Sequence, residues 1–179
     1  MTTEAAAAKP AETPPPVGPF GQFLKDHGIA STPLPPSCGV ETIDIDGANL
    51  QAALRLLRSS SEIALDYLLT VSGVDNIDTY DSVYHLWSYS NLNELVIKVR
   101  LKKSDVKEGS LPEVPSIVNL FSAANWHERE TYDLVGIRYI GHPYLRRILN
   151  PWDWDGHPLR RDYKQPLDAL NDKNPHSFR

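Results

Sequence analysis

The chain has 179 residues, 41% of them apolar, and a formal net charge of −5 from 18 Lys and Arg against 23 Asp and Glu. That length supports one domain with a core of its own, and the acidic balance argues against a surface that tracks nucleic acid along its whole extent. The lone Cys38 excludes an intrachain disulfide and a cysteine-ligated iron–sulfur cluster built by this chain alone, while no run approaches the roughly 18 apolar residues of a membrane span, so a soluble chain in a reducing compartment is expected.

Residues 1–38 read as an Ala/Pro-rich disordered tail, centred on Pro14-Pro15-Pro16, because too few large apolar side chains are present to form a core. A short helix over Gly18 to His27 is predicted within it from the spacing of Phe20, Phe23 and Leu24. Pro33, Pro35 and Pro36 are expected to break regular structure. The folded domain is placed at residues 39–135.

A strand from Val40 to Ile45 leads to Asp46, which is suited to cap a helix over Gly47 to Arg58. Leu50, Ala53, Leu54 and Leu57 fall there at i, i+3, i+4 and i+7. Ile63, Leu65, Tyr67, Leu69 and Val71 alternate with smaller or polar residues, the period of a half-buried strand. Val83 to Ser90 and Leu95 to Leu101 flank turn chemistry at Asn91-Leu92-Asn93 and predict an antiparallel hairpin. Pro112 to Pro115 reads as a loop, Ser116 to Phe121 as a last strand, and Ser122 as the cap of a helix over Ala123 to Leu134. The order implies an α+β fold: a small, mostly antiparallel sheet with helices packed on one face. Residues 136–179 are too rich in proline and glycine for long elements and are expected to run as an extended strap.

The charge, tryptophan and proline of the protein concentrate in three blocks. The first is Trp126-His127-Glu128-Arg129-Glu130-Thr131-Tyr132-Asp133-Leu134-Val135-Gly136, the second His142-Pro143-Tyr144-Leu145-Arg146-Arg147-Ile148-Leu149, and the third Trp152-Asp153-Trp154-Asp155-Gly156-His157-Pro158-Leu159-Arg160-Arg161-Asp162-Tyr163. A helical wheel over the first block puts Ala123, Trp126, His127, Glu130, Asp133 and Leu134 in one sector, with Glu128 and Arg129 opposite. On that reading Glu130 faces the core and needs a partner, for which Arg146, Arg147, Arg160 and Arg161 are candidates. Trp126 is expected in the core.

From Arg138 to Lys164 six Lys or Arg face three Asp, a net of +3 inside an acidic protein. In an extended chain neighbouring residues point to opposite sides, so one arginine of each Arg-Arg pair is expected to close onto the helix and the other to be free for a partner. Trp and Arg are also enriched at interface hot spots. His142 and His157 precede prolines, which hold them in extended conformations, and their spacing with His127 is far wider than that of local zinc ligands. Glu128 and Glu130, two apart on a helix, diverge and make no acid–base dyad. The residues point to docking, with no catalytic, cofactor-binding or metal site in this chain.

Together the three blocks closely resemble the signature of the C subunit of respiratory complex I (NADH-quinone oxidoreductase), the small hydrophilic subunit of the peripheral arm, called the J subunit in cyanobacterial and plastid complexes. The β-rich region from about Gly39 is also what that family has, and the N-terminal tail lies outside the resemblance. Val135, His127 and Arg161 depart from residues common at those positions without removing the core of the motif. The resemblance implies a non-redox subunit of a proton-pumping NAD(P)H–quinone oxidoreductase, separate rather than fused to the next subunit. Fe–S clusters, a flavin or other electron-input cofactor, and quinone are implied to sit in partner subunits. The implied partners are the quinone-site subunit and the Fe–S subunits, with no nucleic acid. Membrane association would come through the complex, on the cytoplasmic, stromal or matrix side of an energy-transducing membrane. The alternative is the equivalent subunit of a ferredoxin- or deazaflavin-dependent relative, or of a membrane-bound hydrogenase.

Overall fold

A computed structural model describes residues 15–164. The first fourteen residues of the expected tail, and the part of the expected strap from 165 to 179, lie outside the described residues. Helix α1 (Pro19–Asp26) starts with proline at its first position, where the missing N–H costs nothing. Its free N–H groups at Phe20 and Gly21 donate to the carboxylate of Glu41, at 3.2 and 2.9 Å. Phe20 and Leu24 are buried in the main core, so the packed unit includes chain ahead of Gly39.

Strand β1 (Thr32–Ser37) follows despite its three prolines and pairs antiparallel with β2 (Val40–Asp44). As an edge strand, β1 can spare the N–H groups that proline lacks. Asp46 caps α2 (Gly47–Ser59) by accepting the Ala48 N–H at 2.9 Å, and Leu50, Ala53, Leu54 and Leu57 are buried. These agree with the sequence. The next segment does not: Ile63 and Leu65 belong to a turn, with Ala64 at φ +47°, and β3 (Tyr67–Asp75) begins only afterwards.

A register shift between Leu68 and Thr70 then changes the phase, so Leu68 and Val71 are buried while Tyr67 and Leu69 are 45% and 43% exposed. A single inserted residue sends the following side chains to the other face, which simple alternation cannot anticipate. Strands β4 (Thr79–Trp87) and β5 (Glu94–Lys102) form the expected hairpin, with Tyr84 opposite Ile97 and Leu86 opposite Leu95. The five-stranded sheet has the order β1-β2-β5-β4-β3, antiparallel except for the β2–β5 pair.

Ser116 to Phe121 is not a strand. The strand there is β6 (Glu113–Pro115), inside the segment expected to be a loop, and it pairs in parallel with β7 (Arg138–Ile140). Between them lies α3 (Ala124–Val135), preceded by Ala123 in helical conformation with no side-chain cap, so Ser122 does not cap it. The three helices share the sheet face bearing Ile43, Leu68, Val71, Tyr84, Leu86, Leu95 and Ile97, which form one cluster with the α1 and α2 residues. Helix α3 lies closest to β3. A Cβ at Gly73 would stand 2.5 Å from Thr131 Cγ2, so only glycine allows that approach.

Candidate functional site

Helix α3 is held between the sheet and the strap, and each side uses one of its carboxylates. The residues turned to the sheet are Ala124, Glu128, Thr131 and Val135, spaced 4, 3 and 4 apart. This reverses the expected orientation: Glu128 is fully buried, Glu130 is exposed, and Trp126, expected in the core, is 63% exposed. The wheel fails because the inward stripe is made of small residues and one carboxylate while the largest apolar side chain of the helix, Trp126, faces out.

Among the described residues Glu128 has no guanidinium partner. Its Oε2 accepts the Ser116 hydroxyl at 2.6 Å and its Oε1 the Ile117 N–H at 2.7 Å. Burial pushes its pKa up to about 7, against the opposing effect of those two bonds. Nearby, Ser82 Oγ and Tyr139 Oη are 2.9 Å apart, and burial together with the Glu128 charge raises the pKa of both Tyr139 and Tyr84. Glu128 thus ties α3 to the loop after β6 within a buried polar cluster. Ser116 carries no sequence signal for this role, since the contact depends on where β6 delivers it.

Asp133 points to the strap and is also fully buried. Its Oδ2 accepts three successive backbone N–H groups, from Ile148, Leu149 and Asn150, at 3.0, 2.8 and 2.9 Å. Its Oδ1 accepts Arg147 Nη1 at 2.8 Å and Asn150 Nδ2 at 2.9 Å. Burial alone would raise its pKa, but the Asn150 N–H, the Arg147 guanidinium and the other donors outweigh that and hold it down to about 2.

The strap also closes the C-terminal end of α3. The Asp133 carbonyl accepts His157 Nδ1–H at 3.0 Å and Arg147 Nη1 at 3.1 Å, and the Leu134 carbonyl accepts the Leu159 N–H at 2.9 Å. The Val135 and Gly136 carbonyls accept Nε and Nη2 of Arg160, at 2.7 and 3.2 Å. Two cations therefore sit where the helix dipole and its free carbonyls favour positive charge. Gly136 has φ +77°, and a Cβ there would overlap the His157 ring and stand 2.8 Å from Arg160 Nη2. Both the turn and the close packing require glycine at that position.

The described part of the strap is a run of turns rather than the extended chain expected, and its turns set the direction of each arginine. Arg147 and Arg160 turn inward, whereas Arg146 and Arg161 are exposed and the Arg161 N–H donates to Asp75 at 2.8 Å. His142 donates through Nε2–H to the Asn125 carbonyl at 3.2 Å and accepts the Tyr144 N–H on Nδ1 at 3.0 Å. Burial lowers the pKa of His142 and of His157, against carbonyl bonds that favour the charged form, and the bond from the Tyr144 N–H needs an unprotonated His142 Nδ1. Arg147 Nη2 reaches the Gly156 carbonyl at 2.8 Å, and Tyr163 packs over Gly156. Trp154 and Pro158 are half-buried, while Pro143, Leu159 and Asp162 are exposed. A cleft of about 860 Å³ lies elsewhere, between the ends of β2 and β5 and the loop before β6.

Residues 43–168 match the family described as the 30 Kd subunit of respiratory-chain NADH dehydrogenase. The NADH-quinone oxidoreductase C subunit of Chloroherpeton thalassium is 38% identical over 147 residues, covering 81% of this chain but 56% of that protein. The NAD(P)H-quinone oxidoreductase J subunit of Synechococcus sp. strain WH7803 is 39% identical over 170 residues, 91% of each chain. Among solved structures, a chain of the membrane-bound sulfane sulfur reductase, an archaeal respiratory membrane complex, superposes with a TM-score of 0.64. The alignment covers 86% of this chain and 87% of that one at 19% identity, a likeness of fold.

Proposed function

Because this chain belongs to the family of the 30 kDa subunit of respiratory-chain NADH dehydrogenase, which includes the bacterial C and cyanobacterial J subunits, we propose that it is a non-redox structural subunit of the peripheral arm of a proton-pumping NAD(P)H–quinone oxidoreductase. It holds Fe–S and quinone-site subunits in fixed relative positions on the cytoplasmic side, or its organellar equivalent, of an energy-transducing membrane. Electron transfer depends on such positioning, because misplacement of reacting groups is costly. The cofactors reside in the partner subunits, and the chain joins the membrane through the complex. Among the described residues no helix is long and apolar enough to cross a membrane.

The observation that carries this reading is the engagement of the chemistry-bearing residues. Asp133, His142, His157, Arg147 and Arg160 are consumed in fixing strap to helix, and Glu128 in fixing helix to loop. His157 and Arg160 also line a small open cleft of about 240 Å³, but there His157 Nδ1 and the Arg160 guanidinium are already committed to carbonyls at the end of α3, unlike a free nucleophile or general base. The strap turns outward Tyr144, Trp152, Arg146 and Arg161, residue types enriched at interfaces, alongside Asp153, Asp155 and Asp162.

The test is to tag the chain in its native host and isolate it from membranes under mild detergent. Co-purification with quinone-reducing activity and with Fe–S subunits, and loss of that activity on depletion of the chain, are expected. Supplying NADH, reduced ferredoxin and a reduced deazaflavin in turn identifies the donor. Recovery of the chain only as a free monomer, or with a stoichiometric redox centre of its own, overturns the reading.

A further inference from the structure

Outside the buried contacts of α3, four side chains of the helix and strap form a stacked array on the surface. The Arg129 guanidinium lies 4.9 Å from the Trp126 ring centroid and 5.7 Å from that of Tyr144, and the Arg146 guanidinium lies 4.3 Å from the same Tyr144 ring. The order along the surface is therefore Trp126, Arg129, Tyr144, Arg146. Trp126 is 63% exposed and Tyr144 51%. The array is built: His142 anchors the turn that carries Tyr144 to the helix, and Arg129 Nε donates to the Arg146 carbonyl at 3.1 Å. Helix and strap thus each supply one aromatic and one cation, and the contacts that dock the strap also set their spacing.

Stacking uses the flat faces of a guanidinium and leaves its edge, which carries the N–H donors, pointing away from the rings. Those edges suit a carboxylate, in one- or two-point contact. Among the described residues neither Arg129 nor Arg146 forms an ion pair, although Arg147, one residue away, does. The segment is also the basic part of an acidic chain: six Lys or Arg against three Asp from Arg138 to Lys164. Two oriented cations that alternate with two exposed rings, and that form no ion pair among the described residues, match an acidic segment in charge and an interface hot spot in composition.

We propose that the Trp126–Arg129–Tyr144–Arg146 array is a docking surface for an acidic segment of a neighbouring subunit, whose Asp or Glu carboxylates bridge the two guanidinium edges while its apolar atoms cover the rings. This rests on the subunit reading above and names the chemistry of one partner of that surface.

The experiment uses the assembled complex. A photo-crosslinking amino acid is placed at position 126, the complex is purified and irradiated, and the joined peptides are identified by mass spectrometry. In parallel, wild type, Arg129→Gln/Arg146→Gln and Arg129→Lys/Arg146→Lys chains are followed for release from the complex as NaCl is raised. The expected crosslink is to an Asp- or Glu-rich peptide of a different polypeptide. The Gln pair is expected to be released at several-fold lower salt than wild type, with the Lys pair between them, since lysine keeps the charge and loses the planar stack. Unchanged circular dichroism and melting of the isolated variants shows that the fold is intact. A crosslink to residues 165–179 of the same chain, to a second copy, to lipid or to a segment without carboxylates overturns the proposal. So does identical salt release of all three chains. If the wild-type chain itself fails to co-purify, the subunit reading fails instead, so the two failures are told apart.

Discussion

Arg147 Nη1 stands 2.8 Å from Asp133 Oδ1, the carboxylate fully buried and the guanidinium side chain 14% exposed. The pair joins the last turn of α3 to the strap, and the remaining lone pairs of the carboxylate are filled by the chain that follows Arg147. A buried charge with this many donors depends on all of them, because removing the partner leaves the other charge without compensation.

Replacing Asp133 by Asn keeps the shape but presents an amide N–H₂ to groups that are themselves donors. A loss of about 3 kcal/mol is expected, on the scale of breaking a buried ion pair. Arg147→Ala should approach that value, whereas Arg146→Ala and Glu130→Ala should stay within about 0.5 kcal/mol. Urea denaturation measures the stabilities, and limited proteolysis should show cleavage between 141 and 164 opening first in Asp133→Asn. Equal stability of the Arg146 and Arg147 variants would contradict the inward and outward division of the pair.

The pH dependence of that contact has a definite sign. The folded pKa of Asp133 is depressed to about 2 from an ordinary value of 3.8, so its contribution is present above the unfolded value and is lost as pH falls through the range from about 4 to 2. Hydrogen exchange of the Ile148, Leu149 and Asn150 amides, followed from pH 5 downward, should accelerate beyond its intrinsic trend there. No such change in Asp133→Asn is expected.

Glu128 titrates in the opposite sense. Its folded pKa is raised to about 7 from an ordinary value of 4.5, so the folded state holds the proton more tightly, and the stability this confers is full below about 4.5 and lost as pH rises through 7. Wild-type melting temperature should therefore decline between pH 5 and pH 8 more steeply than that of Glu128→Gln. Glu128→Ala should cost about 2 kcal/mol, because it strands the Ser116 hydroxyl and the Ile117 N–H in the interior. Matching slopes in wild type and Glu128→Gln would show that the carboxyl does not titrate in this range.

Two glycines separate conformation from packing. Gly136 and Gly141 both have φ near +80°, but a Cβ at Gly141 meets nothing within 4 Å while one at Gly136 meets His157 and Arg160. Gly141→Ala should cost about 1 kcal/mol, the strain of a left-handed residue alone, and Gly136→Ala should cost at least about 2 kcal/mol more by overpacking. Thermal unfolding of the two variants decides this, and comparable losses would place the whole effect in the backbone.

Helix α2 is legible in the sequence because its signals are local: the Asp46 cap, and Leu50, Ala53, Leu54 and Leu57 on one face. The β4–β5 hairpin is legible for the same reason, through alternation on both sides of a turn. Strand β3 escapes a reading by alternation because its start and its register shift depend on the turn before it and on pairing with β4. Helix α3 faces the opposite way from its apolar wheel because the wheel assumes that apolar side chains go inward. Here Glu128 and Thr131 go inward to a polar cluster, Asp133 goes to the strap, and Trp126 stays outside.

By itself the sequence determined the class of fold and the concentration of charge, tryptophan and proline in the three C-terminal blocks, whereas the inward or outward direction of each arginine was set by the turns of the folded strap. It also carried the family, because the three blocks stand in order in the primary structure and need no folded contact to be recognised. Tertiary structure alone decided which carboxylate is buried, what satisfies it, and which arginines stack on which rings. Those outcomes rest on hydrogen-bond partners separated by 11 to 25 residues, such as Ile117 with Glu128 and Val135 with Arg160, and no local period encodes a contact that only the folded chain brings within 3 Å.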